Sequence, residues 1–295
     1  MPPIPRLRIH HPKMGALLLR ESLSICFYLS RSHQDIAKHV RRALEFYLLA
    51  VGPKTLAWYP DDERGDFWEL DDKGWEWVQH KLRDEGGGIV ELMERPDAIS
   101  GYQFEYRGRT IDPSFPSKVC AMAFWLPTEF MEEHGPGRVQ ELALGLGSFL
   151  PFCSGHAGLS LHRLGRTPGF HALCSSYPGM DRTEVGHLSW NLGTRINGTH
   201  WMNFLGPPAL GELGGASALR SRLSSPGTTV RELGDERAVV TLGEAPEAGD
   251  TGEEQPLPAY RELARVLEPW LYHETYIKDE FTPEEMLRWE RRFLD

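Results

Sequence analysis

The sequence predicts an α+β fold in which a mixed, largely antiparallel sheet packs against helices. Three observations lead there. Residues 23–59 read as an apolar strand, an amphipathic helix and a second strand; residues 119–162 repeat that order; and residues 228–242 read as two short strands joined across Gly234-Asp235. The recurrence allows repeated β-α-β units.

Taken in order, residues 23–29 (LSICFYL) are apolar and aromatic enough for a buried strand. Ser32 then stands at an N-cap position with Asp35 in the first turn, where the helix dipole favours an acid. Ile36, Val40, Ala43, Leu44, Tyr47, Leu48 and Val51 form one helical stripe, and Gly52-Pro53 stops it. Residues 55–59 (TLAWY) read as the returning strand. An acidic loop follows at 61–72 with Phe67 and Trp68 embedded in it, then a helix carrying Trp75, Val78 and Leu82 up to Gly86-Gly87-Gly88. The second unit has a strand at 119–126 (VCAMAFWL), a helical stripe through Val139, Leu142, Ala143, Leu146 and Phe149, and a strand at 158–162. Residues 200–205 open a weaker third copy. The acid-rich, base-free stretch 244–254 reads as a mobile surface loop. Residues 258–272 read as an amphipathic helix kinked at Pro269, and Thr282-Pro283-Glu284-Glu285 as a capping box that opens the last helix.

The chain divides on this basis into a flexible N-terminal arm (1–20), a single domain (21–275) and a C-terminal helix (276–295). Its 295 residues can bury one sizeable core. The 42 acids against 32 bases oppose nucleic-acid binding, which needs Lys and Arg to displace phosphate counterions. No apolar run is long enough for an export signal or a membrane span. Cys26, Cys120, Cys153 and Cys174 are far apart and fit free thiols in a reducing compartment, so a cytoplasmic protein is expected.

A search for chemistry yields little. Gly145-Leu146-Gly147-Ser148 is half of a glycine-rich loop, but it lies in a helical pattern and reads better as close helix packing. Cys153-Ser154-Gly155-His156 brings a thiol and an imidazole close in sequence, which leaves open a hydrolase or transferase of unrecognised type using the Cys153/His156 region; a helix-to-strand turn explains the same residues. Twelve histidines show no zinc spacing, so no metal, no cofactor and no catalytic set is assigned. Charge is informative: residues 1–50 carry +5, 61–85 carry −6 and 244–295 carry −8. Acids interleaved with aromatics suit a cationic protein surface, since aromatics anchor interfaces and charges steer encounter. The candidate contact residues are Asp61, Asp62, Glu63, Asp66, Trp68, Asp71 and Asp72.

Residues 150–159 (LPFCSGHAGL) and 193–215 (GTRINGTHWMNFLGPPALGELGG) resemble the type VI immunity family TsiV, as do TLAWYPDD, the 121–130 stretch, SYPGMD and LPAYRELARVLEPWLY. The resemblance runs from about residue 23 to 272. It implies a non-catalytic immunity protein that binds a cognate antibacterial type VI or other polymorphic toxin in the cytoplasm and covers its active site, the expected toxin being a nuclease with a basic cleft, of the VRR-Nuc type or a related restriction-endonuclease-like fold. It supplies no catalytic residues, and the glycine- and proline-rich motifs read as fold determinants.

Overall fold

The computed structural model describes residues 4–60, 66–96, 99, 101–253, 255–274 and 281–295. Its strands are β1 (Ile9–His10), β2 (Leu17–Leu29), β3 (Trp58–Pro60), β4 (Phe67–Glu69), β5 (Ile89–Met93), β6 (Gln103–Arg107), β7 (Cys120–Pro127), β8 (Ser154–Arg163), β9 (Met202–Leu205), β10 (Thr228–Glu232) and β11 (Ala238–Leu242). The helices are α1 (His33–Val51), α2 (Asp72–Arg83), α3 (Thr128–His134), α4 (Pro136–Phe149), α5 (Phe170–Ser176), α6 (Val185–Asn191), α7 (Ala209–Glu212), α8 (Gly215–Arg222), α9 (Pro258–Leu267) and α10 (Pro283–Glu290). The strands make one sheet in the order β10-β11-β9-β8-β2-β7-β6-β5-β3-β4, with β1 added to β2.

The fold is α+β as expected, and every pairing between these strands is antiparallel rather than mixed. The two predicted β-α-β units turn out unlike each other. The strand that follows α1 lands beside β4 and β5, separated from β2 by the three strands β5, β6 and β7. In the second unit β7 and β8 flank β2 directly, so the strand they enclose comes from elsewhere in the chain.

Strand β2 is the spine. Leu23, Ile25, Phe27 and Leu29 point to one face, where they join Met122, Phe124 and Leu126 of β7 and Leu159 and Leu161 of β8 in the main core. This face takes α1 through Ile36, Val40, Ala43, Leu44 and Tyr47, and α4 through Val139, Leu142, Ala143 and Leu146. A Cβ on Gly145 would lie 2.4 Å from the Phe46 ring, so the glycine allows α1 and α4 to close on each other. Cys26 and Tyr28 point the other way, with Ala121, Ala123 and Trp125, and α6 covers them through Val185, Leu188 and Leu192.

Three local differences have physical causes. Ser32 stands at the N-cap of α1, but its hydroxyl accepts from Ile111 N (3.0 Å) and makes no bond to the helix. Residues 1–20, expected as a flexible arm, hold β1 and the first four residues of β2. The Glu21 carboxylate is fully buried, and a buried charge must be paired. Arg6, Arg8 and the Leu7 N–H all bond to it and tie this segment to the sheet. The 244–253 stretch packs instead of swinging free: Ala245 and Ala248 are buried, and Gly179 N donates to Ala248 O (2.7 Å) where a side chain would collide with Glu247 O. Helix α9 ends at Leu267 in a short 3₁₀ turn containing Pro269. The expected capping box is present at α10: Glu285 N donates to Thr282 Oγ1 (3.2 Å) and Thr282 N to Glu285 Oε2 (2.7 Å).

Candidate functional site

The acidic candidates fall at one end of the sheet. Asp61, Asp62 and Glu63 lie outside the described residues. Asp66 is exposed, and the aromatic pair after it enters β4, whose three residues Phe67, Trp68 and Glu69 all face solvent. Phe67 is 41% and Trp68 53% exposed, unusual for side chains of that size. The Tyr59 and Trp77 rings meet at 4.8 Å, tilted by 31°, a contact that joins β3 to α2. Asp71 and Asp72 serve the helix: Asp71 caps α2 by accepting from Gly74 N (2.9 Å), and Asp72 occupies its first turn. Among the described residues the side chains of Asp66 and Trp68 make no hydrogen bond and cap no helix, whereas Asp71 spends an oxygen on the helix.

The opposite edge is covered. Arg220 of α8 donates to Val230 O (3.2 Å) and pairs with Glu232 (2.8 Å), so a charged side chain occupies the outer rim of β10. Edge strands blocked in this way resist further pairing.

The Cys153/His156 alternative does not assemble. Cys153 is buried with its Sγ on Tyr28 O (3.1 Å), and burial raises its pKa, the wrong direction for a nucleophile. His156 instead turns to the second face of the sheet. There its Nε2 lies 3.2 Å from Asp181 Oδ2, and its ring stacks on His200 at 3.9 Å and 15°. Thr183 Oγ1 donates to the same carboxylate oxygen (2.8 Å), Ser24 and Ser160 contact Thr183, and His200 Nε2 bonds to Asn197 O (2.5 Å). Asn203 brackets the His200 backbone, accepting from its N–H (2.9 Å) and donating to its carbonyl (2.6 Å).

The electrostatics of this core follow from its burial. Burial opposes charge on His156, but the Cys26 sulfur and the Asp181 carboxylate outweigh it and raise the imidazole to about 10. Burial works against the Asp181 carboxylate too, yet His200 and His156 hold it well below the usual carboxylate range. His200 goes down to about 3, through burial and then the neighbouring His156 cation. The arrangement is thus a charged His156–Asp181 pair with a neutral imidazole laid on it. The three residues offer metal-type donors within 4.8 Å of one another. Imidazole lone pairs lie in the ring plane, however, so two stacked rings cannot aim at one ion, and both Nε2 atoms already have partners. The cleft above, lined by Asp181, Arg182, Asn197, Glu274 and Arg292 among others, has about 50 Å³ of open space, which suits waters and not a substrate.

No residue of this core except His156 was suspected from sequence. The signal was present as alternation in β8, where Ser154, His156, Ser160 and His162 share one face and are buried.

Comparison with known proteins adds to this geometry. The profile of a family described as TsiV, type VI immunity for VRR-NUC, matches residues 39–293. No curated protein matches the sequence. Among solved structures, the Pseudomonas aeruginosa T6SS protein PA0821 superposes with a TM-score of 0.82, at 17% sequence identity over 98% of this chain and 87% of that one, a likeness of fold.

Proposed function

The chain belongs to the TsiV family of type VI immunity proteins, and on that premise we propose that it binds a cognate VRR-Nuc nuclease toxin and neutralises it by covering its active site, without turnover of its own. The observation that carries this reading is the β4 edge, where Asp66, Phe67, Trp68 and Glu69 are all exposed while the other edge of the sheet is closed by Arg220. A nuclease groove is cationic because it holds phosphates, so an acidic rim with two aromatic anchors is complementary to it and competes with nucleic acid for it. The net charge of −10 favours the nuclease over its nucleic acid as the partner. Among the described residues no helix is long and apolar enough to cross a membrane. We place the encounter in the cytoplasm, where a nuclease meets its DNA.

The test is co-expression with the toxin encoded beside this gene, together with association kinetics of the purified pair. Asp66→Lys combined with Trp68→Ala is expected to abolish protection and to weaken binding by ~100-fold or more, with a slower, less salt-sensitive on-rate. Full protection and unchanged association at low salt by the double variant would remove the β4 edge from the interface. Cell death in the presence of the unaltered protein, with no complex formed, would refute the neutralising role itself.

A further inference from the structure

Where α6 packs on β6 and β7, two strands in from the β3–β4 hairpin, a second surface has the opposite polarity. Arg109, Trp190, Lys118 and Phe115 alternate as cation and ring. The Arg109 guanidinium carbon lies 3.9 Å from the Trp190 ring centroid; Lys118 Nζ lies 5.2 Å from that ring and 4.2 Å from the Phe115 ring. Trp190 is 47% and Phe115 53% exposed.

The ladder is held rigidly from behind. Arg109 donates to Ser189 Oγ (2.9 Å), Val119 N to Ser189 O (3.0 Å), and Gly193 N to Ser117 O (2.8 Å), so the end of α6 and the 112–118 loop are pinned together. Interfaces gain affinity when their aromatic anchors are ordered before the partner arrives.

Neither cation is held in a described ion pair. The acid in the loop, Asp112, turns Oδ1 to Ser114 N (2.8 Å), which lowers its pKa, and the carboxylate lies near enough to Lys118 for that charge to help lower it. Burial and then the neighbouring Arg107 lower the pKa of Arg109. A cation over an aromatic face keeps its charge available to a third group, and Trp and Arg are among the residue types enriched where binding energy concentrates.

We propose that the Arg109–Trp190–Lys118–Phe115 ladder is a second interaction surface, which takes an acidic segment of a protein partner, its carboxylates at Arg109 and Lys118 and its apolar atoms on the two rings. This deepens the immunity reading by giving the partner an acidic contact beside the basic one that β4 would meet. A nucleic acid is the less favoured occupant because its affinity grows with the number of phosphates neutralised, and two cations neutralise too few to hold a strand.

The experiment is fluorescence anisotropy of the full chain with a labelled polyglutamate peptide, alongside a single-stranded oligodeoxynucleotide of similar length. The peptide should bind in a salt-sensitive manner, and Lys118→Glu and Trp190→Ala should each weaken it by ~10-fold or more. Leu164→Ser, which alters an exposed apolar residue elsewhere, should leave it unchanged. Lys118→Glu sits on the surface and should melt like the parent, so its loss of binding reports on the contact and not on folding. The proposal is overturned if the unaltered protein does not bind the peptide, if Lys118→Glu binds it equally well, or if the oligonucleotide binds more tightly. Since the peptide assay contains no toxin and leaves β4 intact, its failure is separable from failure of the neutralising role.

Discussion

The two faces of the sheet are made by the same strands in alternate positions, yet they are held by different forces. Under α1 and α4, Leu23, Ile25, Phe27, Phe124 and Leu146 are fully buried among other apolar groups. Burial there is non-directional, so its strength scales with the area removed from water and depends little on pH. On the other face Ser24, Ser160, His156, Asp181, Thr183, His200 and Asn203 are joined by directional hydrogen bonds and by the stacking of the two imidazoles. A buried polar network holds only when every member is satisfied, because each orphaned group carries its full desolvation cost. The first face should therefore yield gradually to substitution and the second abruptly. Both faces are covered, which leaves the edges and loop surfaces to meet a partner.

Asp181→Asn is the change expected to separate the two faces most. It removes the only described carboxylate paired with the buried His156 cation and should cost roughly 3–5 kcal/mol, measured by urea unfolding. The pH profile carries the same information. The His156 pKa is raised, so its contribution is present below its ordinary value near 6.5 and is lost as pH rises toward about 10. Asp181 and His200 are both lowered, so their contributions are lost as pH falls, for His200 between 6.5 and about 3. Stability should peak near pH 6.5 and decline on either side. In Asp181→Asn the alkaline decline should become shallower, since His156 then keeps only the Cys26 sulfur of the two groups that hold its proton. A variant with the parent's pH profile would show that the pair does not carry this dependence.

Leu146→Ala tests the apolar face. Leu146 is fully buried on α4, and its truncation should cost about 2–5 kcal/mol through lost burial and the cavity left behind. The loss should be nearly the same at pH 5, 7 and 9, in contrast to Asp181→Asn. A pH-dependent penalty would mean that the two faces communicate through β2.

How much of this could be read from the sequence follows the same division. The stripe Ile36, Val40, Ala43, Leu44 and Tyr47 marked α1, because helical periodicity is local and its termini are chemically labelled by Ser32 and Gly52-Pro53. Which strand follows that helix into which slot was not readable: β3 reaches the far end of the sheet through pairings set by β5, β6 and β7, all remote in sequence. The polar core was hidden for a related reason. His156, Asp181 and His200 are distant along the chain, and the turn-like composition around Cys153 drew attention to the wrong partner for His156. Composition also misjudged residues 244–253, where acidic side chains reach outward while Ala245 and Ala248 pack inward. Of the partner-binding candidates, Trp68 is exposed on β4, a placement set by the β3–β4 pairing, and the capping role of Asp71 depends on where α2 begins.

The smallest effect expected is that of Ser24→Ala, and it asks how finely the polar face is balanced. Ser24 lies on β2 with its hydroxyl 2.9 Å from Thr183 Oγ1, and Thr183 in turn donates to Asp181. Thr183 also has Ser160 at 3.0 Å, so losing Ser24 leaves it with one hydroxyl neighbour instead of two. The cost should be near that of a single neutral hydrogen bond, about 0.5–1.5 kcal/mol in thermal or urea unfolding. Combining Ser24→Ala with Ser160→Ala should cost more than the sum of the two, because only the double variant strips Thr183 of both and loosens its hold on Asp181. Strict additivity would show that the two serines act independently and that the face tolerates loss in steps, as the apolar one does.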